Sequence, residues 1–160
     1  MHIISNNQEV RLKVMQSSNN SDYATSTVYI HDTNTSIMID GDNLLLCVKH
    51  KHFYLLFVED DTTNYCMDPY QPMILFVYLL DIQKNKIIDQ VSYLDMLAST
   101  EQFPIHIRDT TIEFKTRRKD IPKIALTVYE QGYDRFSLLY KLGLKKQRFK
   151  KYLKQSFIKK

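Results

Sequence analysis

The sequence predicts an α+β chain, with a mainly antiparallel sheet domain over residues 1–115 and a basic C-terminal helical module over residues 116–160. Three observations predict it. Short apolar segments alternate with polar turns from residue 9 onward, the pattern of strands joined by hairpins. After Pro122 the apolar residues return at helical spacing. Charge divides in the same region: residues 1–114 carry 7 Lys/Arg against 15 Asp/Glu, a net −8, and residues 115–160 carry 15 against 3, a net +12. The overall +4 hides this division, and such asymmetry points to a basic appendage for an acidic partner.

Val10, Leu12 and Val14 alternate with Arg11 and Lys13 as a half-buried strand does. Thr27–His31 and Ser36–Asp40 flank an Asp32-Thr33-Asn34 turn, and Leu44–Val48 is approached through Asp40-Gly41-Asp42-Asn43. Phe53–Glu59 follows. Met73–Gln83 and Ile87–Leu94 meet around Lys84-Asn85-Lys86, a hairpin connection without glycine. Ile105–Ile107 and Thr111–Lys115 form a further pair, and Tyr93–Ser99 suits a short helix. With 3 glycines in 160 residues, few positions are expected to need left-handed backbone.

Beyond the charged junction Arg117-Arg118-Lys119-Asp120, Pro122 suits the first position of a helix. Ile124, Ala125, Val128 and Tyr129 then recur at helical spacing, with Gly132 placed to end that helix. Asp134 is an N-cap for a second helix, Arg135–Leu142, and Leu144 opens a third that runs to about Phe157. A strand over Lys123–Glu130 stays open, because Ile-Ala-Leu-Thr-Val-Tyr also alternates.

Residues 135–154 have the form of a helix-turn-helix. Gly143 takes the turn, flanked by Leu142 and Leu144; Leu138 lies one turn earlier, and Phe149 and Tyr152 lie inside the following helix. Over about 35 residues, 122–156, the chain is similar to the three-helix DNA-binding domains of many bacterial and phage regulators. It departs from that pattern at Leu139, where a small residue is usual, and at Lys145-Lys146, where a capping Ser, Thr or Asp is usual. The resemblance implies a DNA-binding regulatory protein whose recognition helix carries Lys145, Lys146, Gln147, Arg148, Lys150, Lys151 and Lys154 to duplex DNA. Gln147 and Arg148 would read base edges, while the lysines neutralise phosphates and make binding salt-dependent.

Three other outcomes stand beside it. An amphipathic helix docked through Phe136, Leu139, Tyr140, Phe149, Tyr152 and Phe157 would make the lysines a solvated face, or a lysine-rich helix could lie on an anionic membrane surface. From a different class, a small inhibitor or immunity-type protein would neutralise an effector or toxin protein by surface binding, with charge complementarity speeding association.

Catalytic chemistry has weak support. Cys47, His50 and His52 form a Cys-x2-His-x-His cluster, but on a strand Cys47 faces away from both histidines, short of the four ligands zinc takes. His31-Asp32-Thr33 is a single His-x-Thr with no second copy. Glu59-Asp60-Asp61 suits a turn, and no Gly-rich phosphate loop is present. No cofactor, metal or small-molecule substrate is therefore expected. Cys47, inside the run Leu44–Val48, suits a buried reduced thiol. The apolar run Met73–Leu80 is too short to span a bilayer, and without a secretory signal a cytoplasmic location is expected.

Overall fold

The computed structural model describes residues 1–4, 9–15, 23–60, 74–94, 105–115, 123–136 and 148–158. Among them the chain forms twelve strands and no helix: β1 (His2–Ile4), β2 (Val10–Met15), β3 (Thr25–Ile30), β4 (Thr33–Asp40), β5 (Asn43–His50), β6 (Phe53–Glu59), β7 (Ile74–Asp81), β8 (Lys86–Leu94), β9 (Ile105–Arg108), β10 (Thr111–Lys115), β11 (Lys123–Phe136) and β12 (Arg148–Ile158). They make three antiparallel sheets: a central one ordered β1-β5-β6-β7-β8, an N-terminal one ordered β2-β3-β4, and a C-terminal one ordered β12-β11-β10-β9. None of the described residues forms a helix long and apolar enough to cross a membrane.

The central sheet is covered on both faces, and its sequence shows why. In β6 and β7 the apolar residues run on without alternation, as strands buried on two sides do. Phe53, Leu55 and Phe57 with Leu75, Val77 and Leu79 pack toward Ile112, Phe114, Ile124, Leu126, Val128 and Leu153 of the C-terminal sheet. The intervening Tyr54, Leu56 and Val58 with Tyr78 and Leu80 pack toward Val10, Val28, Ile30, Ile37 and Ile39 of the N-terminal sheet. Phe114 anchors the first layer, with edge-on rings of Phe57 and Tyr93 each 5.7 Å away. The Met73–Leu80 run is thus largely strand β7, and the charge boundary near residue 115 falls within one sheet.

The expected α+β class is corrected to all-β. The first predicted C-terminal helix is β11, and the residues assigned to a recognition helix lie in β12 as far as they are described. Over Lys123–Glu130 both periods were available, but Ile124, Thr127 and Val128 are β-branched and Tyr129 is aromatic, side chains that suit a pleated surface. The strand sends Ile124, Leu126 and Val128 into the core. In β12, a helix would have stacked Lys146, Lys150 and Lys154 at intervals of four, repelling one another; the strand pairs Lys154 opposite Thr127 and Lys150 opposite Asp134. Gly132 has φ +69°, as expected of a left-handed residue, but within an irregularity of β11 rather than at a helix end. Asp134 is a strand residue, not an N-cap. Pro122, residues 137–142, Gly143, Leu144, Lys145, Lys146 and Gln147 lie outside the described residues, so the helix-turn-helix has no support and its flanking segments contradict it. Tyr93 and Leu94 finish β8, and the rest of the predicted helix Tyr93–Ser99 lies outside the described residues.

The hairpins follow the sequence closely, with one correction in their turns. The β3–β4 connection is His31-Asp32, both with positive φ (46° and 60°) between paired Ile30 and Thr33, the two-residue type I′ geometry that matches strand twist. Thr33 and Asn34 already belong to β4. Ser36, Lys51, Asn85 and Asp109 also have positive φ, so scarce glycine did not mean scarce left-handed backbone. Gly41, at φ +97°, carries the chain from the N-terminal to the central sheet.

Candidate functional site

The cations of the C-terminal half are positioned by strand pairing, so the site is built from register. Paired residues of neighbouring strands share a face. Ile107, Ile112, Leu126 and Gln155 form one row across the C-terminal sheet, and the burial of Ile112 and Leu126 marks it as the inward face. The next row, Arg108–Thr111–Thr127–Lys154, therefore faces outward across all four strands. The Thr111 and Thr127 hydroxyls lie 2.9 Å apart at its centre, and Arg108 and Lys154 are exposed at its ends. A second outward row is His106–Glu113–Ala125–Ser156. Beyond it Lys115 stands opposite Lys123 in the register of β10 and β11. Among the described residues the face thus presents Arg108, Lys123 and Lys154 around Glu113, with Lys150 opposite Asp134 beyond the irregularity of β11.

Strand β12 is fastened by Asp89 of β8, a residue only 6% exposed. One carboxylate oxygen accepts the Lys151 ammonium at 2.7 Å; the other accepts the backbone N–H groups of Tyr152 at 2.7 Å and Leu153 at 2.9 Å. The register explains the need. Between the pairs Val128–Leu153 and Tyr133–Lys151, β11 has four intervening residues and β12 has one, so β12 loses regular ladder partners there. Charge-assisted bonds to a buried carboxylate are strong replacements.

The predicted nucleic-acid residues consequently separate. Lys151 is committed to Asp89. Lys150 is exposed, with its side chain beside Gly132, where a Cβ would come within 2.9 Å of its Cγ. Lys154 ends the outward row. Arg148 lies in β12 opposite Phe136. Lys145, Lys146 and Gln147 are outside the described residues. Sequence reasoning missed Arg108, Lys123, Glu113 and Asp89 as partners of this surface, because only sheet register brings residues so far apart in sequence together.

The same irregular stretch of β11 is tied to the central sheet by Glu130, which accepts His50 Nε2 at 2.6 Å and Lys51 Nζ at 2.7 Å. The hydrogen bond from Lys51, then that from His50, holds the Glu130 carboxyl below its ordinary range. Cys47, His50 and His52 are dispersed: Cys47 packs with the N-terminal-sheet layer, His50 meets Glu130, and His52 lies against the Phe53 ring. No group of three or more candidate metal ligands occurs among the described residues. Cys47 is a free, buried thiol. Burial first, and the charge of Glu9 second, push it up to about 12, so it is not a ready nucleophile. Cys66 lies outside the described residues.

Two further polar clusters secure the other sheets. Glu9 accepts hydrogen bonds from Lys49 and the Tyr54 hydroxyl, and His31 Nε2 lies 3.2 Å from the same oxygen. Burial raises the Glu9 carboxyl, but these hydrogen bonds and charges outweigh it and leave the carboxyl low. Asp81, with no exposed surface, pairs with Lys84 at 2.9 Å. Its burial is likewise outweighed, by hydrogen bonds from the Lys84 ammonium and backbone N–H. Compared with protein-family models, with curated proteins and with solved structures, the chain matches none.

Proposed function

We propose that the chain is a non-catalytic protein-binding module that docks an acid-bearing surface of a partner protein on the outer face of its C-terminal sheet. The observation that carries this reading is the outward row Arg108–Thr111–Thr127–Lys154, with Glu113 in the next outward row and Lys123 in the one beyond it. Cations with hydroxyls between them suit carboxylates. Glu113 decides the partner class. A carboxylate in the middle of the face repels a uniformly anionic polymer such as duplex DNA, whereas a protein surface can set a cation against it and acids around it. An inhibitor or immunity-type role, in which the partner is neutralised by occupation of its surface, fits such a face.

The test titrates the isotope-labelled protein with an acidic peptide carrying one central lysine and, separately, with a 20-base-pair duplex. The peptide is expected to shift the amides of Thr111, Glu113, Ala125 and Thr127, and R108E/K154E to abolish those shifts while leaving the rest of the spectrum unchanged. Tighter binding of the duplex than of the peptide at about 0.15 M salt, where screening extends over ~8 Å, would overturn the reading. So would shifts confined to another surface.

A further inference from the structure

A strand at the margin of a sheet leaves one row of backbone groups without ladder partners. In the C-terminal sheet the β12 margin is fastened, because the Asp89 carboxylate accepts the Tyr152 and Leu153 N–H groups. The opposite margin, β9, has no strand beside it among the described residues. Which of its backbone groups are open follows from the bonds of its neighbours. The Val128 N–H donates to the Thr110 carbonyl at 2.8 Å, so that carbonyl points toward β11. The Thr111 N–H belongs to the same trans peptide and points the opposite way, toward β9. The Thr111 and Thr127 hydroxyls, 2.9 Å apart, agree, since side chains are closest in pairs that exchange no backbone bonds. Arg108 pairs with Thr111 across the Asp109-Thr110 turn, and its N–H and C=O therefore face β10, as do those of His106 against Glu113. Ile107, between them, turns its N–H and C=O away from the sheet.

The side chains of this margin alternate. His106 and Arg108 are exposed on the outer face, and half-buried Ile107 packs against the core on the inner one. A strand added antiparallel to β9 would pair one residue with Ile107 through two backbone bonds, its side chain lying beside Ile107 at the rim of the core. Its two neighbours would stand opposite His106 and Arg108 in pairs without backbone bonds, where Cα atoms are only ~4.5 Å apart and opposite charges attract. Arg11, Lys49, Lys51, Lys84 and Lys151 each meet a carboxylate of the chain itself. Arg108 meets none among the described residues and stands ready for one from outside. Pairing β9 with the same strand of a second copy, centred on Ile107, would set Arg108 against His106 and supply no carboxylate. The margin therefore resists self-pairing, as charged edge strands do, and favours an acidic strand.

We infer that the β9 margin receives an extended segment of the partner protein as a fifth strand of the C-terminal sheet. The segment carries an acid–apolar–acid run, with the acids opposite Arg108 and His106 and the apolar residue opposite Ile107. Backbone bonds to Ile107 supply affinity and the alternating side chains supply specificity, as in strand addition generally. The inference deepens the reading of the outer face as a protein-binding surface and rests on it. The added strand extends the row Arg108–Thr111–Thr127–Lys154 by one residue, whose carboxylate meets Arg108.

The test titrates the whole isotope-labelled protein with a capped Thr-Glu-Val-Glu-Thr peptide, with the same peptide N-methylated at its valine, and with Thr-Lys-Val-Lys-Thr. The first is expected to shift the Ile107 amide, slow its hydrogen exchange, and bring glutamate Hα protons into contact with those of His106 and Arg108. N-methylation removes the one N–H that would donate to the Ile107 carbonyl and is expected to weaken binding about tenfold. The lysine peptide is expected to bind about threefold more weakly or worse. Arg108→Glu, a change at an exposed position, is expected to reverse the preference between the glutamate and lysine peptides with the rest of the amide spectrum unchanged. Shifts at Thr127 and Lys154 with none at Ile107, or equal binding of the N-methylated peptide, would overturn the added strand and leave the outer face as the docking surface. Shifts at neither place would overturn both readings. A dimer of the free protein with Ile107 at its interface, or equal binding of the lysine peptide, would overturn the acidic strand as occupant.

Discussion

At the scale of single residues, Gly41 shows how tightly the layers constrain the chain. A Cβ there would lie 2.7 Å from Val58 Cγ1 and 3.0 Å from the Glu59 carbonyl oxygen, and its φ of +97° is unfavourable for any other residue. The Gly41 N–H donates to the Ala24 carbonyl at 2.7 Å, and its own carbonyl accepts the Ser26 hydroxyl at 2.6 Å, so it cannot shift freely. Gly41→Ala is expected to destabilise the fold by about 2–4 kcal/mol, from backbone strain plus overpacking, as read from urea denaturation. Some residue properties were legible in advance. Cys47 sits in an apolar run and is buried, and Asp32, Asn85 and Asp109 take left-handed turn positions that Asn and Asp tolerate. His31, Ser36 and Lys51 take such positions too, without the local composition that would announce them.

At the scale of elements, the hairpins β3–β4, β5–β6, β7–β8 and β9–β10 were readable because polar turn residues separate apolar strands. The C-terminal strands were harder. Ile124–Tyr129 satisfies both a period of 3.6 and a period of 2, and long-range packing decides between them. The spacing of Lys146, Lys150 and Lys154 opposed a helix by repulsion of a few tenths of a kcal/mol per pair, too little to outweigh an apparent motif. Basic charge in β12 was legible, but the face it serves was not, since Arg108, Glu113 and Lys123 arrive through three-strand register. Asp89 is equally remote from the segment it secures. Asp89→Ala would leave the partly buried Lys151 ammonium and two backbone N–H groups without that carboxylate. A loss of about 2–4 kcal/mol is expected, with faster hydrogen exchange at Tyr152 and Leu153 than at Ile112 or Leu126. Uniform acceleration across the sheet would show instead that β12 has no local fastening.

At the scale of the whole molecule, three layers are joined by carboxylates as well as by apolar packing: Glu9 links the N-terminal and central sheets, while Glu130 and Asp89 link the central and C-terminal sheets. Glu9, Asp81 and Glu130 all have depressed carboxyl pKa values in the folded state. Their stabilisation is complete above the unfolded values of about 4 and is lost as pH falls through the lower folded values. The urea midpoint is therefore expected to fall most steeply below about pH 4, and Glu9→Gln to flatten that decline; an unchanged slope would remove Glu9 from the account. The charge division along the chain then has a structural meaning. The basic segment 115–160 supplies two strands of a sheet whose outer face carries cations, rather than a separate helical arm. The most direct test is the register of β12, measured by backbone chemical shifts and cross-strand proton contacts in the intact protein. Strand-type shifts over Arg148–Ile158, with contacts pairing Thr127 to Lys154 and Val128 to Leu153, are the predicted result; helical shifts across the same residues would contradict it and dissolve the proposed binding face.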